Sequence, residues 1–171
     1  MQLSSDERPI LVRFALAFAL VIVGWAVLHD LHLITVEPRH FTVYHRPLLP
    51  IHSHALLAVQ YALVASFGPG IAFGFLAYFA ARGGTAPKSE FRVVLCGFVA
   101  VLILVELVLL TIGSSAKTTF STHGTTLFPK NWYPELTASE VYTQTVNIGA
   151  YLFAPLSGVA YLLVVRMKRR R

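Results

Sequence analysis

Five polar side chains lie in otherwise apolar stretches and are the residues of this chain best suited to chemistry. Asp30 closes the first apolar run, Gln60 lies one turn into the second, and Glu106 lies near the middle of the third. In the fourth run, Asn147 and Tyr151 are four residues apart and share one helix face. Because an unpaired carboxylate is costly in hydrocarbon, such groups usually face the interior of a helical bundle. Their convergence predicts an apolar pocket with a polar anchor.

The chemistry that this pocket predicts is the binding of a cationic amphiphile. A carboxylate at Asp30, shielded from water by the aromatic rings of Trp25 and Tyr151, would attract an ammonium group, while the bundle holds the hydrocarbon body. If Asp30 and Glu106 approach each other, one of them should hold a proton at neutral pH, because two desolvated like charges disfavour joint ionisation. The alternative for a residue such as Gln60 is that it only joins helices by hydrogen bonds.

The seven histidines raise the question of a metal site. His29 and His32 are three residues apart, His52 and His54 bracket one residue, and imidazoles at such spacings can share a metal. No cysteine partner, zinc-protease motif or run of acidic ligands accompanies them, and amphipathic side chains are common at the level of the lipid headgroups. We therefore predict no metal and no cofactor.

The elements that position these side chains are membrane spans. The chain has 171 residues, of which 56% are hydrophobic and 13% charged, which excludes an ordinary soluble globule. Four apolar runs, at 10–28, 55–81, 93–113 and 141–165, are each long enough to cross a bilayer, which takes roughly 20 helical residues. We predict one all-α domain, a bundle of four transmembrane helices, with the second helix kinked at Gly68-Pro69-Gly70.

The net charge of +6 predicts an orientation rather than a nucleic-acid site. Most of the basic residues flank one side of the predicted membrane, so the positive-inside rule predicts cytoplasmic N and C termini. The polar head before the first run contains acids and no small-residue cleavage site follows it, so we predict no cleaved signal peptide. The basic residues of the predicted cytoplasmic side are Arg8, Arg13, Arg82, Lys88, Arg92, Arg166, Lys168, Arg169, Arg170 and Arg171.

Three short segments, in order along the chain, resemble the EXPERA domain family, to which the sigma-2 receptor and the emopamil-binding protein belong. They are Asp30-Leu31 followed by Val36-Glu37-Pro38-Arg39, Gln60 nine residues before Pro69, and Gly149-Ala150-Tyr151-Leu152-Phe153-Ala154-Pro155. The resemblance covers nearly the whole chain in pattern and spacing. It implies a lumen-facing pocket that opens towards the membrane and takes sterols or hydrophobic amines.

The resemblance also implies roles for single residues. Asp30 matches the acid that pairs with the cation of a ligand, and Asn147 and Tyr151 match the wall of the pocket. Gln60 stands where the family has a second acid, and a glutamine cannot carry a proton. Glu106 has no clear family counterpart and is a candidate for the missing acid.

Three functions follow as hypotheses. The leading one is a membrane protein of the endoplasmic reticulum that binds a sterol, a lipid-like molecule or a hydrophobic amine, with membrane lipid around it and no nucleic acid. The first alternative is a sterol double-bond isomerase, in which Asp30, Glu106 and aromatic faces stabilise a cationic intermediate. The second is a non-catalytic membrane scaffold or assembly factor. Small residues on the second and third spans offer a face for a homodimer, as the family resemblance also implies.

Overall fold

A computed structural model describes residues 4–44, 49–129 and 136–169. Within these residues the chain forms helices and no strand, and four of the helices are long. The prediction of an all-α bundle of four long helices is therefore confirmed. The helices are α1 (Glu7–Val36), α2 (Arg39–Thr42), α3 (His54–Arg82), α4 (Phe91–His123) and α5 (Ala138–Lys168).

The four long helices make this chain an integral membrane protein. Each of α1, α3, α4 and α5 is long and apolar enough to cross a membrane. Large apolar side chains cover the outside of the bundle, for example Leu20, Leu104 and Leu156, which are 70%, 63% and 66% exposed. Such a surface is unfavourable in water and is matched by the hydrocarbon of a bilayer.

Helices α1 and α3 pack closely because glycines on α3 let the two backbones approach. A Cβ atom built at Gly70 would lie 2.7 Å from the Cα atom of Ala19, and one at Gly74 would lie 2.4 Å from the Cα atom of Ala15. The space beside Gly70 and Gly74 is filled by α1, so these two glycines offer no surface to a second copy of the chain. Gly68 on the same helix meets nothing within 4 Å, so a homodimer face on the second span stays a prediction.

Helices α4 and α5 form the second close pair. The space at Gly113 is filled by the side chain of Val146, and the space at Gly149 is filled by that of Leu109. Across the bundle, the rings of Phe18 on α1 and Phe98 on α4 are 4.7 Å apart. The contacts set the register of the four helices and so decide which polar side chains lie at one level.

The second predicted span is one continuous helix, and α3 runs through Pro69 from His54 to Arg82. The kink at Gly68-Pro69-Gly70 stays a prediction. Helix α5 is likewise continuous through Pro155. Each of these two helices thus carries one proline in its interior, where the missing N–H removes one helical hydrogen bond.

Two helices extend beyond the predicted apolar runs. Helix α1 continues past residue 28 to Val36 and so includes His29, Asp30 and His32. Helix α4 continues past residue 113 to His123 and ends at Gly124, which has a φ of 64°. Hydroxyl groups in this polar extension, such as that of Thr118, donate to carbonyl groups one turn earlier, so polarity does not end the helix there.

One end of the bundle, which we call the terminal end, is held by Glu7 and Arg169. The Glu7 carboxylate accepts hydrogen bonds from Tyr78, Arg82 and Lys88. The guanidinium group of Arg169 is buried and donates to four backbone carbonyl groups between residues 80 and 87. Burial lowers the pKa of Arg169. Arg169 therefore holds the chain that follows α3 rather than extending as a free basic anchor; Arg170 and Arg171 lie outside the described residues.

The opposite end, which we call the loop end, is held by a cluster of charged groups. Arg39 reaches both Glu37 and Glu140, each at 3.1 Å, and the Tyr44 hydroxyl donates to Glu140 at 2.6 Å. Burial alone would raise the pKa of Glu37, but the hydrogen bonds from Arg39 outweigh it, so this pKa is lowered. The bond to Glu140 raises the pKa of Tyr44 to about 12. Glu140 also completes a capping box with Thr137 at the start of α5.

Candidate ligand-binding cavity

A cavity of about 350 Å³ lies between the four long helices. Most of its wall is apolar, and its polar lining comes mainly from Trp25, His29, Asp30, Asn147 and Tyr151. Its size and its few polar groups are those of a small-molecule site. Of the six residues that the sequence predicts for the site, the structure brings Trp25, Asp30, Asn147 and Tyr151 together on this wall.

The cavity opens sideways, between α3 and α5. Its exposed lining residues include Ala65 and Pro69 on α3 and Tyr151 and Pro155 on α5. Tyr151 is 62% exposed. Because the outer surface of these helices is apolar, the opening faces the hydrocarbon of the membrane.

Asp30 is the acidic side chain in the lining of the cavity. Its carboxylate makes no hydrogen bond or ion pair with any other side chain in the described segments of the protein. The phenol of Tyr151 is close enough to interact electrostatically with it. A partly buried carboxyl group that makes no hydrogen bond or ion pair within these segments is a ready partner for a cationic group.

Next to Asp30, His29 forms a buried pair with Glu106. The His29 Nδ1 atom lies 3.1 and 3.0 Å from the two carboxylate oxygens of Glu106, and His29 is only 4% exposed. An ionised carboxylate only accepts, so Nδ1 is the donor. Glu106 itself does not line the cavity but acts on it through His29. The acid that we expected beside Asp30 thus contacts the neighbouring histidine instead.

Two ring nitrogens in the cavity wall are buried without a partner. The Nε2 atom of His29 and the Nε1 atom of Trp25 make no hydrogen bond within residues 4–44, 49–129 and 136–169. The two rings are themselves packed together, with centroids 5.4 Å apart. A ligand or an ordered water that satisfies these atoms would gain the hydrogen bonds that the protein leaves open.

Gln60 does not line the cavity. Its side chain is 91% buried, and neither of its amide atoms has a partner in the part of the chain that the structure describes. The register set by Gly70 on Ala19 places Gln60 level with His29. Gln60 therefore lies at the depth of the polar site, but no hydrogen bond holds it to Asp30.

Two further polar contacts lie between the cavity and the loop end. The His32 Nε2 atom is 2.8 Å from the Tyr142 hydroxyl, and the amide nitrogen of Gln144 is 3.1 Å from the His40 Nδ1 atom. The first contact joins α1 to α5, and the second joins α2 to α5. Among the described residues, no group of three or more His, Cys, Asp or Glu side chains could hold a metal ion.

His29 is the residue of this site that sequence reasoning missed. Its partner Glu106 is 77 positions away in the chain, so no local pattern marks the pair. The available signal was its position four residues after Trp25 and directly before Asp30, which puts it on the inward side of the same helix.

Comparison with models of known protein families, with curated proteins and with solved structures finds no match for this chain.

Proposed function

We propose that this protein binds a hydrophobic ligand with a cationic amine head, of sterol-like or lipid-like body, inside the membrane. The observation that carries this proposal is the Asp30 carboxyl group, which makes no hydrogen bond or ion pair among the described residues and lies in the wall of an apolar cavity open to lipid. The apolar part of the wall, formed by residues such as Phe73, Phe98 and Leu102, would contact the hydrocarbon body.

The expected strength of the polar contact is large. Two opposite charges about 4 Å apart attract by about 4 kcal/mol at an effective dielectric constant of about 20. Because the ligand enters from the bilayer, its hydrocarbon part gains little on binding, and the charge contact at Asp30 decides between ligands. A neutral molecule of the same shape would bind more weakly.

The cellular setting belongs to the same proposal. The resemblance of the segments around Asp30, Gln60 and Tyr151 supports membership of the EXPERA family, and with it residence in the endoplasmic reticulum. The positive-inside rule supports cytoplasmic termini and a cavity nearer to the luminal side. A homodimer is part of this proposal through the family resemblance alone.

A second candidate is a sterol double-bond isomerase, and the His29–Glu106 pair favours it. Moving a double bond requires one group that gives a proton to a carbon atom and another that removes a proton from a different carbon. His29, oriented by Glu106, would give the proton from Nε2, and Asp30 would receive one. This step requires His29 to carry a proton on both ring nitrogens and Asp30 to be ionised at the start, and the proton that Asp30 takes up must return to Nε2 to complete the cycle.

The test is equilibrium binding of dodecylamine to the full chain in lipid nanodiscs, comparing wild type with Asp30→Asn. We expect saturable binding that the substitution weakens about 10- to 100-fold, because it removes the charge contact. Asp6→Asn is the matched control, since Asp6 is exposed at the terminal end and far from the cavity. It should bind as wild type does.

Analysis of an unsaturated sterol incubated with the same samples separates the two candidates. A shifted double bond that depends on His29 would establish the isomerase. An unchanged sterol together with Asp30-dependent amine binding would establish the binding protein. No saturable binding by folded wild type would contradict both and favour a scaffold.

A further inference from the structure

The two helices that form the opening of the cavity each have one internal proline on its wall, Pro69 in α3 and Pro155 in α5. Proline has no N–H group, so the carbonyl group four residues earlier lacks its helical donor. These carbonyl groups belong to Ala65 and Tyr151, which also line the cavity. Because a helical carbonyl group lies on the face between residues i and i+4, both acceptors lie on the cavity side of their helices.

The register of the helices places the two carbonyl groups at different depths in the bundle. Gly149 packs on Leu109, which places Tyr151 level with residue 107 of α4, and the His29–Glu106 contact brings Asp30 to the same level. The interaction between Asp30 and the phenol of Tyr151 agrees with this depth.

The acceptor on α3 lies deeper. Gly70 packs on Ala19, which places Ala65 level with Gly24 of α1, about 9 Å along the helix from Asp30. The wall thus has one proline-freed carbonyl group level with Asp30 and one about 9 Å deeper along the bundle. An ammonium group bound at Asp30 would therefore lie at the depth of the first and not of the second.

We propose that the Tyr151 carbonyl group, freed by Pro155, is a second acceptor beside Asp30, and that the cavity therefore selects amphiphiles with a primary ammonium head. This inference rests on the proposed function and names its ligand class. A primary ammonium has three N–H donors, enough for Asp30, for the Tyr151 carbonyl group and for one further partner such as the Asn147 side chain. A quaternary ammonium has the same charge but no donor, so it leaves these acceptors unpaired.

The experiment compares two probes with the same tail, dodecylamine and dodecyltrimethylammonium, on the full chain in nanodiscs. Wild type should bind the primary amine about tenfold more tightly, the usual effect of leaving a buried acceptor unpaired. Pro155→Ala restores the N–H group that occupies the Tyr151 carbonyl group. It should lose this preference, because it should bind the primary amine more weakly than wild type does.

Pro69→Ala is the matched control, since it makes the same change in the same wall but far from Asp30. Because Pro69 lines the same cavity, this change can alter the fit of the tail that both probes share, but the ratio of the two affinities should stay that of wild type. Replacing a proline in a helix interior by alanine favours the helix, so a changed preference in either variant is not the result of unfolding. Helical content by circular dichroism checks this directly.

The outcomes separate this inference from the proposal on which it rests. Equal affinity of wild type for the two probes, or the same loss of preference in both variants, would overturn the role of the Tyr151 carbonyl group and leave amine binding intact. Loss of both probes in Pro155→Ala would also overturn it, because the shape of the cavity would then be the cause. Binding of neither probe by wild type would overturn the proposed function as well.

Discussion

The Nδ1 atom of His29 is held between the two carboxylate oxygens of Glu106, at 3.1 and 3.0 Å, inside a membrane-spanning bundle. This contact joins α1 to α4. It orients the imidazole, whose other nitrogen is left without a partner in the wall of the cavity. The pair thus joins two helices. It also lies next to Asp30, where the cationic group of the proposed ligand would bind.

Glu106→Ala should lower the stability of the bundle, because it leaves the buried Nδ1 atom of His29 unpaired. We expect a cost of about 1–3 kcal/mol, the usual penalty for a buried donor without an acceptor. Thermal unfolding in mild detergent measures it. Glu90→Ala, at the exposed start of the same helix where the side chain makes no capping bond, is the control and should change little. Equal stability of the two variants would contradict a structural role of the pair.

Arg39→Gln should loosen the loop end, because Glu140 is 1% exposed and would lose its only cationic partner in the described segments. Arg39 is itself partly exposed, so we expect a measurable loss of stability that is smaller than the cost of breaking a fully buried pair. Chemical denaturation followed by circular dichroism gives the value. Lys117→Gln, an exposed lysine near the same end, should leave stability unchanged; a similar loss there would indicate a general effect of charge.

Acidification should destabilise the loop end through Glu37. The pKa of this carboxyl group is lowered in the folded protein, so its contribution to stability is complete above the ordinary glutamate pKa of about 4.3 and is lost as the pH falls through the lower folded value. From pH 7 to about pH 5 the contribution of Glu37 to the melting temperature should be constant, and below about pH 4 its loss should produce a decline. The decline should be smaller in Glu37→Gln, and an identical pH profile would contradict the assignment.

Gly74→Ala should push α1 and α3 apart. The added Cβ atom would lie 2.4 Å from the Cα atom of Ala15, and a backbone atom cannot move aside as a flexible side chain can. The expected cost is about 1–3 kcal/mol, as for other overpacked interiors. Gly68→Ala in the same helix meets nothing within 4 Å and should be neutral or slightly stabilising. Thermal unfolding of both variants side by side checks the difference.

Part of the candidate site could be predicted from the chain alone. Asp30, Asn147 and Tyr151 are polar or amphipathic groups in apolar runs, and the cost of exposing such groups to hydrocarbon made an inward direction the reasonable expectation. The same reasoning applied to Gln60 and Glu106, yet neither lines the cavity. Gln60 and Glu106 both lie at the depth of the cavity. The rotation of each helix about its axis, and the side chains that lie between these residues and the cavity, decide which residues line it.

The sequence by itself determined the class of architecture, because the apolar content and length of the four runs allow little except membrane-spanning helices. The sequence also shows that each of the segments that form α3 and α5 contains a proline, which cannot donate a helical hydrogen bond. Only the tertiary structure decided that Pro69 and Pro155 share one cavity, that Glu106 contacts His29, and that α4 extends to His123. The reason is physical: periodicity and composition act within one helix, whereas the level at which two helices meet depends on how glycines and large side chains fit across their interface.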